Sequence, residues 1–110
     1  MSIYMYQGTY SREAINALVQ NPQNRTAAVQ AVVEANGGTL IGCWMAFGEY
    51  DIVVIADMPD DESMAGVALA VTCAGTASSG KTTKLLTMDQ AVTAMKSAQS
   101  VVNSYSAPSS

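Results

Sequence analysis

The sequence predicts an α+β domain in the order βαββαβ with one further helix at its C-terminal end, and three observations predict it. Residues 2–9 alternate and are rich in Tyr, Ile and Met, as a strand does. Two apolar runs, 40–47 and 52–56, flank the short segment Gly48-Glu49-Tyr50-Asp51, the pattern of a β-hairpin. Helix-start signals stand at Ser11, at Pro59-Asp60-Asp61-Glu62 and at Thr87-Met88-Asp89-Gln90.

Taken in order, the first strand covers 2–9. Ser11 caps a helix that begins Arg12-Glu13-Ala14 and continues through Ile15, Leu18 and Val19. Asn21-Pro22 breaks this helix and is expected to restart it, Asn21 as cap and Pro22 as first helical residue. The restarted helix presents Ala28, Val29, Val32, Val33 and Ala35 and stops at Gly37-Gly38. The hairpin strands follow at 39–47 and 50–57. A second helix over 61–74 places acidic residues at its positive end and uses Met64, Val67, Ala68, Val71 and Leu69. A polar loop at 76–80 then leads into a fourth strand at 81–87. Thr87-Met88-Asp89-Gln90 matches a capping box and starts the last helix, to about Val102. Two split βαβ halves in this order make a ferredoxin-like sandwich, a four-stranded antiparallel sheet with helices on one face. The expected division is one domain over 1–102 and a small, polar, disordered tail over 103–110.

A two-residue Gly48-Glu49 loop of type II′ sets Ala46 against Asp51, Met45 against Ile52 and Trp44 against Val53. One face then carries Ile41, Cys43, Met45, Phe47, Tyr50, Ile52, Val54 and Ala56, and the other Leu40, Gly42, Trp44, Ala46, Asp51, Val53 and Ile55. Both faces are apolar, whereas a half-solvated antiparallel strand reads hydrophobic-in, polar-out. Helices cover one face only. The expectation is therefore that the sheet packs against a second subunit, in a dimer or an assembly of dimers, each buried side chain contributing about 1.5–3 kcal/mol.

Composition points the same way. With 49% hydrophobic and 13% charged residues in 110, the chain has little charged cover for its apolar content. A net charge of −4 and five dispersed basic residues argue against nucleic acid or an anionic membrane as partner. No run of apolar residues reaches the roughly 20 that a membrane span needs. The N-terminal stretch has neither the basic nor the long apolar region of a signal peptide. Cys43 and Cys73, in apolar contexts, read as buried reduced thiols in a cytoplasmic protein.

Candidate chemistry is sparse. Residues 75–82, GTASSGKT, satisfy the phosphate-loop pattern, but that loop needs a strand before it and a helix after it, and here the order is reversed. A flexible surface loop is the expectation for this segment. Glu49, Tyr50 and Asp51 are an acid/base set beside the turn, or else Glu49 faces solvent, Tyr50 packs against Phe47 and Asp51 caps nearby amides; Asp51 is the one catalytic candidate. Tyr4, Tyr6 and Tyr10 share a side of the first strand, where they either line a small aromatic-ligand pocket with Lys84 or Trp44 nearby or pack the core. The seven methionines are packing or an adaptable surface. With no histidine, Ser-His and Cys-His catalysis are excluded, no metal ligand set is formed, and no cofactor is expected.

The Gly48-Glu49-Tyr50-Asp51 turn between strands resembles the signature of the GYD-domain family. The N-terminal strand, the Gly37-Gly38 stop, Met58-Pro59-Asp60-Asp61 and Thr87-Met88-Asp89-Gln90-Ala91 extend the resemblance over roughly residues 2–100. It implies a ferredoxin-like fold of the dimeric α/β-barrel kind in a cytoplasmic, prokaryotic protein of uncharacterised function. Related families include cofactor-free oxygenases, lactone isomerases and ligand-sensing modules. Two departures stand out: the small, polar segment 76–81 and the absence of histidine. The reading is thus a self-assembling domain that binds a small apolar or aromatic ligand through Tyr4, Tyr6, Trp44, Tyr50 and Lys84. The alternative is a cofactor-independent oxygenase or isomerase.

Overall fold

Along the first strand Tyr4, Tyr6 and Gly8 are buried while Ile3, Met5 and Gln7 are only half covered, and this alternation decides the layers. The computed structural model describes residues 1–109; Ser110, the end of the expected tail, lies outside the described residues. The elements are β1 (Ser2–Tyr10), α1 (Arg12–Gln20), α2 (Thr26–Ala35), β2 (Thr39–Met45), β3 (Ile52–Met58), α3 (Asp61–Cys73), β4 (Ala77–Leu85) and α4 (Met88–Val101), followed by a short 3₁₀ turn at Val102–Ser104. The strands form one antiparallel sheet in the order β2-β3-β1-β4, the ferredoxin-like arrangement expected.

The core lies between the sheet and α2 and α3. From the strands it takes Tyr4, Tyr6, Val54, Ala56 and Met58; from the helices, Val33, Met64 and Val67. Val33 and Met58 are wholly enclosed. Leu69, expected in the core, is exposed, and so is Cys73. The expectation of two buried thiols fails for Cys73, which sits on the outer side of α3, while Cys43 is half-buried on β2.

Local chemistry sets the helix ends. Ser11 and Asp60 accept from the amides of Ala14 and Ser63, and Thr87 and Gln90 close a capping box at α4. Gly37, at φ 81°, ends α2: its N–H donates to Glu34 and that of Gly38 to Val33, a Schellman closure. Gly75, at φ 77°, closes α3 the same way.

Four expectations are corrected. First, α2 starts at Thr26 rather than at Pro22. Asn21, before the proline, adopts φ −136° and ψ 80°, and the Asn24 carboxamide oxygen takes both the amide and the hydroxyl of Thr26.

Second, the β2–β3 connection is wider than a two-residue turn. The strands stop at Met45 and restart at Ile52, short of the expected 39–47 and 50–57. Gly48 does not take the positive φ that a type II′ turn demands. The register survives, because the Ala46 N–H donates to the Asp51 carbonyl at 2.7 Å, keeping Met45 opposite Ile52 and Trp44 opposite Val53.

Third, an irregularity between Leu40 and Gly42 shifts the register. It turns Leu40 to the helix side, opposite Ala56, which reverses its expected face, and leaves Ile41 unpaired in the register and exposed.

Fourth, the segment 76–80 is no loop: β4 begins at Ala77 and pairs through Ser79, Gly80 and Lys81 with Thr9, Gly8 and Gln7. A backbone ladder requires no large side chain, and at Gly80 the sheet admits none, since a Cβ there would stand 2.6 Å from the Tyr6 hydroxyl. The helix-then-strand order around the phosphate-loop pattern is as read from the sequence.

Among the described residues no helix is long and apolar enough to cross a membrane. The outer face of the sheet carries Ile3, Met5, Val53, Ile55 and Trp44 together with the polar Gln7, Asp57, Lys81 and Thr83, and among the described residues no helix packs extensively on it.

Candidate functional site

The sequence-chosen residues divide among three places. Tyr4 and Lys84 are directly opposite on β1 and β4, and both point to the helix side. Asp61, the first residue of α3, meets them there: its Oδ1 accepts from the Tyr4 hydroxyl and, at 2.9 Å, from Lys84 Nζ. The Lys84 ammonium also lies 5.8 Å from the centre of the Tyr4 ring. The hydrogen bond to the carboxylate raises the Tyr4 phenol above its usual range. The Tyr4 and Lys84 bonds hold the Asp61 carboxyl below its usual range, and the Asp61 partner raises Lys84. Donors and acceptor satisfy one another, and the cluster ties the start of α3 to the sheet. Sequence reading placed Asp61 only as a helix start, because its partners are 57 and 23 residues away.

Asp51 occupies the second place. Its carboxylate oxygen Oδ2 accepts from the Tyr10 N–H at 2.9 Å, and its own N–H donates to the Gly8 carbonyl at 2.9 Å. With the Ala46 bond, Asp51 links the β2–β3 loop to the end of β1. Glu49 and Gly48 are exposed, and Tyr50 is half-buried in the same loop. Trp44 stands on the opposite side of the sheet from Tyr4 and Tyr6, 57% exposed, with its ring over Gly42. The structure does not bring Trp44 and Tyr50 together with Tyr4 and Tyr6, although Trp44 and Tyr10 line one groove beside α1.

The third place is a cavity of about 230 Å³ between the sheet and helices α2 and α3. Its wall is apolar, with Val29 and Val32 from α2, Ala68 and Val71 from α3, and Val54 beneath. Tyr6 lines it from β1 and is 7% exposed; its hydroxyl is buried and has no hydrogen-bond partner. Burial raises the Tyr6 phenol above its usual range. Tyr10 and the exposed Arg25 form part of the rim, and burial is the main cause of the raised Tyr10 phenol, opposed by Arg25. The second buried polar atom without a partner is Oδ1 of Asp57, on the outer face of the sheet opposite Ile3 and Thr39. The small helix residues that leave the cavity open are legible in the sequence only as helix-forming Ala and Val.

The cavity wall is mostly apolar, and the carboxylates of Asp51 and Asp61 are engaged in the hydrogen bonds already described. Among the described residues no group of three or more His, Cys, Asp or Glu is placed to hold a metal ion.

Comparison with known proteins gives a family. A model described as GYD domain matches residues 4–95, most of the 110-residue chain. No curated protein gives a significant match. With the antiparallel sheet order and the expected hairpin register in place, the chain belongs to the GYD domain family.

Proposed function

We propose that this protein is a self-assembling small domain that holds a small apolar or aromatic molecule in the cavity between the sheet and helices α2 and α3. One observation carries the reading: an apolar chamber lies between the sheet and helices α2 and α3, with the Tyr6 side chain in its wall. The Tyr6 hydroxyl is buried and has no partner, which costs about 1–3 kcal/mol, and a turn of the ring that brings it to a ligand acceptor or donor recovers that cost.

Size limits the ligand. An apolar cavity of about 150 Å³ admits benzene, and drug-sized ligands need about 300 Å³ or more. At about 230 Å³ the chamber suits one substituted ring. The oxygenase or isomerase alternative draws no support from Asp51, whose carboxylate is engaged by Tyr10 and does not line the chamber.

Calorimetry with phenol and toluene tests this directly. Phenol should bind saturably and about tenfold more tightly than toluene, the worth of one hydrogen bond of about 1.4 kcal/mol. Tyr6→Phe should keep the fold and erase that preference. Absence of saturable binding of either probe would overturn the proposal.

A further inference from the structure

α4 is a well-made helix with nothing to lie on. Its capping box is complete, yet none of its residues is buried and it has no extensive packing against the sheet or its helices. The molecule is accordingly long, 59 × 37 × 22 Å, with a radius of gyration of 17.8 Å where a compact chain of this length has about 13 Å.

The helix is nonetheless built for packing. Met88, Ala91, Val92, Met95, Ala98 and Val102 recur at helical spacing along one stripe, interrupted by Gln99, while Asp89, Thr93, Lys96, Ser97 and Ser100 occupy the other side. Met88 is 78% and Met95 61% exposed. A helix of 14 residues alone in water is marginal, because nucleation is costly and stability comes mainly from burying an apolar face. Its stripe therefore calls for a surface.

The same chain has an uncovered surface of matching kind. Ile41 and Trp44 stand exposed on β2, beside Val53 and Ile55 on the outer sheet face. β2 and β4 are opposite edges of the sheet, separated by three inter-strand steps, about 14 Å. α4 leaves from the β4 edge, so in its own chain it starts across the whole sheet from Ile41 and Trp44. A second copy removes that separation: a twofold axis parallel to the strands lays the β4 edge of one sheet over the β2 edge of the other.

Area supports the use of the arm. Four strands about 4.8 Å apart and about 23 Å long outline roughly 440 Å², near half of the ~800 Å² per partner typical of a stable complex. The sheet face alone falls short, and two exchanged helices supply the remainder.

We infer that α4 is an exchanged arm: in a dimer with facing sheets, it lays its Met88–Val92–Met95 stripe against the β2 edge of the second copy, beside Ile41 and Trp44. This deepens the self-assembly proposed above and is independent of ligand binding in the chamber.

Sedimentation velocity of the full chain at micromolar concentration provides the test, with Met95→Glu on the stripe and Thr93→Glu on the polar side. The wild type and T93E should sediment as dimers of about twice the 11.5 kDa chain mass. M95E should dissociate at least tenfold more readily, with α4 amides losing hydrogen-exchange protection. Since Met95 is exposed in the single chain, M95E leaves the sheet and core folded, and phenol binding by that variant reports this. A dimer unaffected by M95E would overturn the arm while leaving self-assembly standing. A monomeric wild type would overturn both, whereas loss of phenol binding from the wild type would count against the chamber alone.

Discussion

Gly80 lies under Tyr6 so closely that a Cβ on Gly80 would stand 2.6 Å from the phenol oxygen and 2.8 Å from the ring. Gly8, directly opposite Gly80 across the β1–β4 ladder, is equally constrained, its Cβ position 2.8 Å from the same ring. The ring of a core tyrosine thus lies over a pair of glycines, where any larger residue would displace it. Gly80→Ala should destabilise the fold by about 1–3 kcal/mol by overpacking. Urea unfolding measures it, and a combined Tyr6→Leu/Gly80→Ala variant should cost less than the sum of the two single changes, because the clash is shared.

The hydroxyl itself contributes nothing to the free fold. Tyr6→Phe removes a buried group that has no partner, so unfolding free energy should stay level or rise by about 1 kcal/mol in ligand-free protein. A loss of more than that would show that the hydroxyl is bonded in solution.

Two glycines that look alike in sequence should behave differently. Gly37 sits at φ 81° with Pro59 Cγ 3.3 Å from its Cβ position, so Gly37→Ala should cost about 1–2 kcal/mol. Gly48, in the loop that resembles the family signature, lacks a positive φ and has open space around it. Gly48→Ala should therefore change stability by less than about 0.5 kcal/mol. Thermal unfolding of the pair checks both, and a large effect at Gly48 would point to contacts that the single chain does not make.

Asp51 is expected to act as a clip. Asp51→Ala removes the acceptor of the Tyr10 N–H and should cost about 1–2 kcal/mol, while Asp51→Asn, which keeps an oxygen in place, should cost less. Denaturant midpoints of the two variants decide the order. Equal losses would mean that the charge, and not the hydrogen bond, is what matters.

The Tyr4–Asp61–Lys84 cluster makes stability depend on pH at both ends. Asp61 titrates below its usual range when folded, so its contribution is complete above the usual carboxylate range and is lost as pH falls through the depressed value. Tyr4 and Lys84 titrate above their usual ranges, so theirs is complete at neutral pH and is lost as pH rises through the raised values. Asp61→Asn should flatten both limbs of the stability profile. Asp61 and Lys84 are 66% and 50% exposed, so added salt should shrink the difference between variant and wild type.

Much of the architecture was legible in residues 1–102 because it is written in local chemistry. Caps at Ser11, Asp60 and Thr87, the glycine stop at Gly37 and the alternation of β1 each act within a few residues of themselves. They determine where α1, α3 and α4 begin, where α2 ends and which face of β1 is buried, and hence the order βαββαβ. Even the Met45–Ile52 register followed, though a wider loop sets it. Where sequence reading failed, the cause was distant. The small polar residues of 76–80 read as a loop until the neighbouring strand supplies hydrogen bonds from Ala77 onward and the Tyr6 ring explains the glycine at 80. The irregularity at Ile41, the meeting of Asp61 with Tyr4 and Lys84, and the chamber beside Tyr6 all depend on residues tens of positions apart. No local propensity encodes such meetings, since they arise only when the sheet closes and the helices settle on it. The sequence by itself determined the order of the elements and the buried face of β1; tertiary packing alone decided where α2 and β4 begin, which way Leu40 turns, which polar groups found partners and which hydroxyl did not.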